Sequence, residues 1–245
     1  WTNHDANGVY EGVHIPVKYG SNRNTVAYLK VLWHALRNRK AVFHVFNIGP
    51  VFLLLMKLGG ARRIIYGIHG TIYWRTRIQK LIYRFLWPIA LSHKTILLAN
   101  SEHSRNEFLR QIDSCANVRL LYNPIDSSRF NPDGPGLKKR EILVIYSGRL
   151  EKGKNLQKWI EIASYVHAAM PATRFEIYGQ GSLAEMLQRQ IASQHAEEYI
   201  ALKGFRKDIE NIYRMADVFM FLSEYESFGN VVVESILCCT PVIAS

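Results

Sequence analysis

Short apolar runs alternate with longer amphipathic stretches along almost the whole chain. The runs are rich in β-branched and aromatic residues, as buried strands are, and the longer stretches repeat apolar residues at helical spacing. Strands that alternate with helices form parallel sheets covered by helices on both faces. The predicted strands are 41–46, 63–69, 95–99, 118–122, 142–146, 175–178, 199–202, 218–222 and 241–244. The predicted helices start near residue 50 and cover 75–91, 101–111, 155–168, 183–191, 207–215 and 229–237.

A turn-rich segment at 127–140 interrupts this alternation. It contains Asn-Pro-Asp-Gly-Pro-Gly and then Lys138-Lys139-Arg140, which predicts a solvated linker. The fold class is therefore α/β, with two tandem Rossmann-like, doubly wound parallel-sheet domains at 1–136 and 137–245. Both are expected to be incomplete, because the first lacks the opening strand and glycine-rich turn, and the second ends on an apolar strand.

The composition indicates a soluble globular protein of a reducing compartment. Hydrophobic residues make up 48% and charged residues 21% of the chain. The cysteines are Cys115, Cys238 and Cys239, an odd number without zinc-site spacing, which excludes a disulfide framework. No apolar run approaches the roughly 20 residues of a membrane span, and 1–24 is too polar for a signal peptide. The predicted location is cytoplasmic.

Positive charge is concentrated in the first half of the chain. Residues 1–137 hold 18 Lys and Arg against 7 Asp and Glu, whereas 138–245 hold 13 of each. Such asymmetry indicates an anionic partner: a membrane face, nucleic acid or a phosphorylated substrate. The stretch 75–91 predicts a basic amphipathic helix that suits an anionic lipid surface, and hence a peripheral place on the inner membrane face. A core-packed helix with a solvated basic side explains the same pattern; the cations are Arg75, Arg77, Lys80 and Arg84.

The turn after strand 142–146 carries cations where a helix begins. In open parallel sheets, ligands bind beyond the carboxyl ends of the strands. Gly148 opens this turn, and Arg149 and Lys154 follow it. Both cations oppose the helix dipole unless an anion such as a diphosphate binds there. A solvated basic turn is the alternative.

Two glutamates mark the segment from 222 to 237. Glu226 lies in a strand-to-helix turn, and Glu234 lies among valines in the helix that follows. A carboxylate is costly to bury without hydrogen-bond donors, and ribose hydroxyls are suitable donors. Alternatively, Glu234 lies on a solvent-facing side of its helix. Glu226 lies beside the amides of Gly229, Asn230 and Val231, where sugar hydroxyls and phosphate oxygens would meet. Ser227 and Phe228, which lie between them, complete the predicted substrate-binding segment.

Two further turns carry weaker indications. His69 ends strand 63–69 and is expected to face a cleft between the domains if the sheets oppose each other; taken by itself, it is explained more simply as a histidine that is hydrogen-bonded at a strand end. Gly179 and Gly181 follow strand 175–178 and would let a ligand approach the backbone, as they would also suit an ordinary tight turn.

Taken together, these residues resemble the retaining GT-B glycosyltransferases of family four. The similarity rests on the spacing of Arg149 and Lys154, on the two glutamates with seven residues between them, and on the segment 226–245. The run Asn-Pro-Ile-Asp at 123–126 and the His-Gly pair at 69–70 are also similar to that family. Ser227 stands where the family often has glycine, and Cys239 where it has a small residue.

The resemblance implies transfer of a sugar, with retention, from a UDP- or GDP-sugar to a glycan or lipid-linked acceptor in cell-envelope polysaccharide or lipopolysaccharide synthesis. Arg149 and Lys154 would neutralise the departing diphosphate, so that neither a metal nor a cofactor is expected. Glu226 would hold the sugar, Glu234 the ribose, and His69 would contact the sugar from the opposing domain. The resemblance also implies that Gly179 and Gly181 leave room for the ligand to approach the backbone. It implies that the nucleotide base lies near Gly204, Phe205 and Arg206.

Two other classes remain open from the sequence. Sugar-nucleotide epimerases share this architecture and would act on the donor alone. A basic membrane-binding or nucleic-acid-binding module would have no use for Glu226 and Glu234. An RNA binder should expose aromatics between its cations, and the candidates are Tyr73, Trp74, Tyr83 and Trp87. A nucleic-acid partner is not expected.

Overall fold

The computed structural model describes residues 25–70, 76–91, 95–134 and 141–245, with side chains from Tyr28 onward. The segment 1–24, which was predicted not to be a signal peptide, lies outside the described residues. So do Tyr73 and Trp74 of the candidate RNA-binding aromatics, Arg75 of the predicted basic helix, and the cations at 138–140 of the predicted linker.

The first lobe is a four-stranded parallel sheet with helices between its strands. Its strand order is β1-β2-β3-β4, so that each strand pairs with the next in sequence. The elements are α1 (Thr25–Arg37), β1 (Val42–Phe46), α2 (Pro50–Leu58), β2 (Arg63–Ile68), α3 (Arg77–Ala90), β3 (Thr95–Ala99), α4 (Glu102–Gln111) and β4 (Val118–Leu120).

The second lobe is a five-stranded parallel sheet in the order β7-β6-β5-β8-β9. The elements are β5 (Ile142–Ser147), α5 (Leu156–Ala169), β6 (Thr173–Tyr178), α6 (Ala184–Ser193), β7 (Ile200–Gly204), α7 (Ile209–Met215), β8 (Val218–Phe221), α8 (Asn230–Leu237) and β9 (Val242–Ala244). The two sheets confirm the predicted α/β class with tandem Rossmann-like domains.

The strand order of the second sheet reverses between β5 and β8. After β5 the chain adds β6 and β7 on one side, and it then returns to add β8 and β9 on the other. Right-handed crossovers therefore send the helices after β5 and β8 to opposite faces of the sheet. The turns at the carboxyl ends of these two strands diverge and leave a crevice, which is where open α/β sheets bind ligands.

Each lobe has its own core, built around its central strands. In the first, Tyr66 of β2 packs edge-on against Trp87 of α3 at a centroid distance of 5.6 Å. In the second, Trp159 of α5 is fully buried, and its Nε1 donates to the Met220 carbonyl at 2.9 Å. That hydrogen bond satisfies the indole N–H, so the large ring is buried without an unpaired donor.

Two features differ from the sequence predictions. Helix α1 was not predicted; its Ala35 is fully buried, and its Tyr28 stacks on Phe52 of α2 at 4.7 Å. The segment after residue 127 is not wholly solvated either, because Phe130 is buried in the second core. Arg214 of α7 holds this segment by donating to the carbonyls of Arg129 and Asn131. The domain boundary at 136/137 stays a prediction.

Candidate active site

A cleft of about 550 Å³ lies between the two lobes at the carboxyl ends of the strands. Ten of the residues predicted for the site line it, and four other residues do as well. The predicted ones are His69, Gly148, Arg149, Lys154, Glu226, Ser227, Phe228, Gly229, Asn230 and Val231; the others are Asn100, Asn123, Tyr146 and Phe221.

The turn after β5 presents Arg149 to the cleft. Gly148 has φ of +154°, and a Cβ there would lie 2.7 Å from the hydroxyl oxygen of Tyr146, so the position requires glycine. That hydroxyl donates to the Arg149 carbonyl at 3.1 Å and fixes the turn. The Arg149 side chain is 73% exposed, and its guanidinium pairs with Glu151 at 2.8 Å. It is thus a cation on an ordered backbone, with room to bind an anion.

Lys154 and Glu226 form an ion pair that joins the two diverging turns. The lysine side chain is only 13% exposed, and its Nζ donates to Glu226 Oε1 and, at 3.3 Å, to the hydroxyl of Ser223. The turns also meet through their backbones, because the Glu224 N–H donates to the Gly153 carbonyl at 2.8 Å. A cation from the turn after β5 and a carboxylate from the turn after β8 therefore lie side by side in the cleft.

The start of α8 supplies backbone donors. Gly229 caps the helix in the left-handed region, with φ of +79°, and the helix begins at Asn230. First-turn N–H groups have no partner within their own helix, so the amides of Asn230 and Val231 are available to an anion. The Asn230 side chain is held from the other lobe, since Asn123 Nδ2 donates to its Oδ1 at 2.8 Å.

His69 forms part of the first lobe's wall of the cleft. Its backbone N–H donates to Asn47 Oδ1 at 2.8 Å, and its ring packs edge-on against Phe46 at 4.8 Å. Partial burial lowers the pKa of His69, and the nearby His44 lowers it further. Both effects favour the neutral imidazole, which can donate or accept a hydrogen bond without adding charge.

Glu234 does not line the cleft. It lies half-buried one turn further along α8, and among the described residues no side chain or amide donates to its carboxylate. Burial raises the pKa of Glu234, while Arg129 acts in the opposite direction. A carboxylate placed so near the cleft without a donor fits the predicted ribose contact, which stays a prediction.

The raised pKa of Glu234 predicts a pH-dependent cost to stability. Because its pKa is higher in the folded state than in the unfolded state, folding favours the protonated form, and stability falls as pH rises through that interval. We expect Glu234→Gln to raise the melting temperature at about pH 7.5 and to change it little at about pH 4. Thermal unfolding followed by circular dichroism at both pH values tests this. Equal shifts at both would contradict it.

The glycines after β6 serve backbone packing. A Cβ at Gly179 would lie 1.8 Å from the Gly148 carbonyl oxygen, and one at Gly181 would lie 2.4 Å from that of Leu150. The β6–α6 turn therefore packs directly on the β5–α5 turn that carries Arg149. Neither glycine lines the cleft.

The residues predicted to lie near the nucleotide base of the donor also do not line the cleft. Gly204 ends β7, Phe205 is half-exposed, and Arg206 forms a two-pronged ion pair with Asp208 at 2.8 and 2.9 Å. They lie at the same sheet edge, two strands from β5. Their contact with a nucleotide stays a prediction.

The structure adds four cleft residues that the sequence analysis did not select. Tyr146 and Phe221 lie at the carboxyl ends of β5 and β8, as the last residue but one and the last residue of these strands, and Asn100 and Asn123 follow β3 and β4 of the first sheet. Asn100 follows its strand just as His69 follows β2, which is a signal that could have identified it. Among the described residues, no three His, Cys, Asp or Glu side chains cluster as metal ligands would. Metal independence stays a prediction.

Two family models together match almost the whole chain. The model described as Glycosyltransferase Family 4 matches residues 2–129, and the model described as Glycosyl transferases group 1 matches residues 127–245.

Curated relatives carry glycosyltransferase names. The chain is 25% identical over 241 residues to the N-acetylgalactosamine-N,N'-diacetylbacillosaminyl-diphospho-undecaprenol 4-alpha-N-acetylgalactosaminyltransferase of Campylobacter jejuni, covering 92% of this chain and 65% of that protein. It is 24% identical over 217 residues to the UDP-Gal:alpha-D-GlcNAc-diphosphoundecaprenol alpha-1,3-galactosyltransferase of Escherichia coli, covering 82% and 56%. The chain thus spans less than two thirds of the length of either.

The fold is similar to that of HepE from Anabaena, whose crystal structure contains UDP. The TM-score is 0.71 at 19% identity, with 87% of this chain and 62% of that chain covered. A second HepE structure, with UDP and glucose, matches with a TM-score of 0.70 at 20% identity, covering 89% and 62%. On the two family models, with this fold and this cleft, the chain belongs to the GT-B glycosyltransferases that these models describe, Glycosyltransferase Family 4 in its first half and Glycosyl transferases group 1 in its second.

Proposed function

We propose that the protein transfers a sugar from a nucleoside diphosphate sugar to an acceptor hydroxyl, with retention at the anomeric carbon. One observation carries the proposal: Arg149, Lys154 and Glu226 meet in a single cleft at the point where the strand order of the second sheet reverses. Two cations beside the helix N-terminus of α8 suit a diphosphate, and a carboxylate next to them suits the attached sugar.

In this proposal the bond between the anomeric carbon and the diphosphate oxygen breaks, and the bond to the acceptor oxygen forms on the same face. The acceptor proton passes to the departing phosphate. Arg149, Lys154 and the first amides of α8 stabilise the negative charge that develops on the leaving group. Glu226 holds sugar hydroxyls and faces the positive charge at the anomeric carbon. Glu234 binds the ribose, and His69 contacts the sugar from the other lobe.

The names of the relatives favour particular substrates. The E. coli relative's name includes UDP-Gal and the solved HepE structures contain UDP, so a UDP-sugar is the first donor to test, with GDP-sugars as the alternative. Both relatives' names place a sugar on an undecaprenol diphosphate glycan. We therefore propose a lipid-linked acceptor and a role in cell-envelope glycan assembly, with lipopolysaccharide as one candidate product.

Release of nucleoside diphosphate by the full-length protein tests this function. The purified protein is given UDP-galactose, UDP-N-acetylglucosamine, UDP-N-acetylgalactosamine or GDP-mannose, with and without an undecaprenyl-diphosphate disaccharide. Acceptor-dependent release of UDP or GDP, with a product one sugar longer, supports the proposal. Conversion of the donor to its epimer without acceptor would indicate an epimerase instead. No binding of any donor or of UDP by calorimetry would refute both.

The first lobe also carries a surface suited to an anionic membrane. On α3, five apolar side chains at helical spacing are at least half exposed, on the face opposite Trp87 and Ala90: Ile78, Leu81, Ile82, Phe85 and Ile89. Arg77, Lys80 and Arg84 lie along one side of this apolar face. The helix therefore has a packed side, a basic side and a free apolar side, as interfacial helices do.

The charge of the surrounding chain supports the same partner. Between Glu11 and Glu102 the sequence contains no Asp or Glu. Trp33 and Leu36 of α1, whose helix packs on α2 as α3 does, are also exposed. None of the described helices is long or apolar enough to cross a bilayer. A nucleic-acid partner gains less support, because Trp87 is buried and Tyr83 only partly exposed. The exposed ring of Phe85 belongs to the apolar face described above.

Liposome flotation tests the membrane surface. We expect the protein to float with vesicles that contain anionic phospholipid and to float several-fold less with neutral vesicles. Lys80→Glu should reduce flotation with the anionic vesicles several-fold, because each cation near the surface contributes about 1 kcal/mol. Lys158→Glu, the same charge reversal at an exposed position of α5 in the other lobe, is the matched control. Binding that ignores lipid charge would contradict the proposal.

A further inference from the structure

Asn100 is a buried polar residue in the wall of the cleft. It follows β3, is 1% exposed, and lines the cleft together with His69 and Asn123. Its backbone N–H donates to the Ile68 carbonyl at 3.1 Å, which fixes it beside the end of β2 and hence next to His69. Its position is thus set by the sheet, whatever its side chain does.

The side-chain oxygen of Asn100 has no hydrogen-bond donor. Its Oδ1 is buried, and no group among the described residues donates to it. An unsatisfied buried acceptor costs free energy, because it loses its water without gaining a partner. Leucine or alanine would avoid that cost at this position. The arrangement is explained if a donor arrives with the ligand.

The chemistry of the cleft indicates which part of a ligand supplies the donor. The cations lie on the opposite lobe, where Lys154 and Arg149 suit a diphosphate. Phosphate oxygens only accept hydrogen bonds, so they cannot satisfy a carboxamide oxygen. A sugar hydroxyl or the N–H of an N-acetyl group can. The described cleft residues of this wall are His69, Asn100 and Asn123, and they include no carboxylate, lysine or arginine, so this wall suits a neutral polar group.

We infer that Asn100 accepts a hydrogen bond from a hydroxyl or N-acetyl N–H of a sugar bound in the cleft, and that it contributes to selecting that sugar. This inference rests on the proposed transferase function. It assigns the charged end of the substrate to the second lobe and the neutral end to the first. The sugar can belong to the donor or to the acceptor, and the two cases differ in kinetics.

The test is Asn100→Ala in the full-length protein, with the wild type's preferred donor and acceptor. We expect an unchanged or raised melting temperature, because a buried unpaired acceptor is removed, and a UDP affinity within about twofold of wild type. We expect kcat/KM for transfer to fall by about 10- to 100-fold, the usual effect of losing one substrate hydrogen bond. Ser104→Ala is the matched control, since Ser104 is also fully buried with an unpaired hydroxyl but lies outside the cleft.

Two further measurements show whether the sugar bound by Asn100 belongs to the donor or to the acceptor. If the donor sugar is bound, the variant also slows hydrolysis of the nucleotide sugar without acceptor; if the acceptor sugar is bound, hydrolysis is unchanged and the KM for acceptor rises. Wild-type kcat/KM in Asn100→Ala would overturn the inference, because no contact to the sugar would then depend on this side chain. A fall in melting temperature and UDP affinity together would also overturn it, by showing a structural role. Failure of the wild type itself to bind UDP or transfer sugar would instead refute the proposed function.

Discussion

Replacing Arg149 with alanine is expected to lower the rate of sugar transfer by about 10²- to 10³-fold while leaving the fold intact. The guanidinium belongs to an ordered turn at the carboxyl end of β5, where a departing diphosphate would gain negative charge. The side chain is 73% exposed and pairs only with its neighbour Glu151 among the described residues, so its removal costs little stability. The loss should appear mainly in kcat, since the charge develops in the transition state.

Lys152→Ala is the matched control for this experiment. It removes a cation three positions away in the same turn, and Lys152 is exposed and does not line the cleft. Nucleoside diphosphate release gives the rates, and circular dichroism shows whether both variants remain folded. Full turnover in Arg149→Ala, or an equal loss in Lys152→Ala, would remove the central electrostatic argument.

Glu226→Gln is expected to bind UDP more tightly than the wild type and to transfer sugar about 10²- to 10³-fold more slowly. The Lys154 ammonium is paired with Glu226, and this pairing competes with a diphosphate for the lysine. Glutamine weakens the pair and leaves a partly buried cation in need of an anion. It also removes the carboxylate that would face the positive anomeric carbon.

Calorimetric titration with UDP and steady-state kinetics measure the two effects separately. Glu224→Gln makes the same change in the same turn, at an exposed position outside the cleft lining, and should alter neither. Weaker UDP binding by Glu226→Gln would show that the glutamate itself helps to hold the nucleotide. Unchanged turnover would show that it has no part in transfer.

The sequence predicted the fold well because most strands are short apolar runs bounded by turns. All nine predicted strands are present, and the clearest are the central strands β5 and β8, in which Ile145 and Phe219 are fully buried. Helix α1 was not predicted, although its apolar residues recur at helical spacing. Phe130 was placed in a solvated linker because its turn-forming neighbours dominate the local pattern.

The candidate site was predicted in part. The site residues in the turns after β5 and β8 could be predicted from the sequence, because the carboxyl ends of parallel strands lie at one edge of the sheet. The pairing of Lys154 with Glu226 could not, since it depends on the strand order, which places two distant turns side by side. Asn100 has no local signal beyond its place after a strand. Only its burial without a donor distinguishes it from an ordinary asparagine.

The chain that joins the two lobes is anchored close to both, and this limits how they can move. Leu121 is still bonded to the first sheet, through its N–H and the Ala99 carbonyl, and Ile125 already packs on the second core. Bending must therefore concentrate in Tyr122, Asn123 and Pro124, a hinge of three residues whose proline has a fixed φ. Swinging the lobes apart about this hinge would break the bond between Asn123 and Asn230 at the start of α8. Under the proposed function, opening the cleft would remove this contact from the helix start that is proposed to bind the diphosphate, and would couple release of the nucleotide to the hinge.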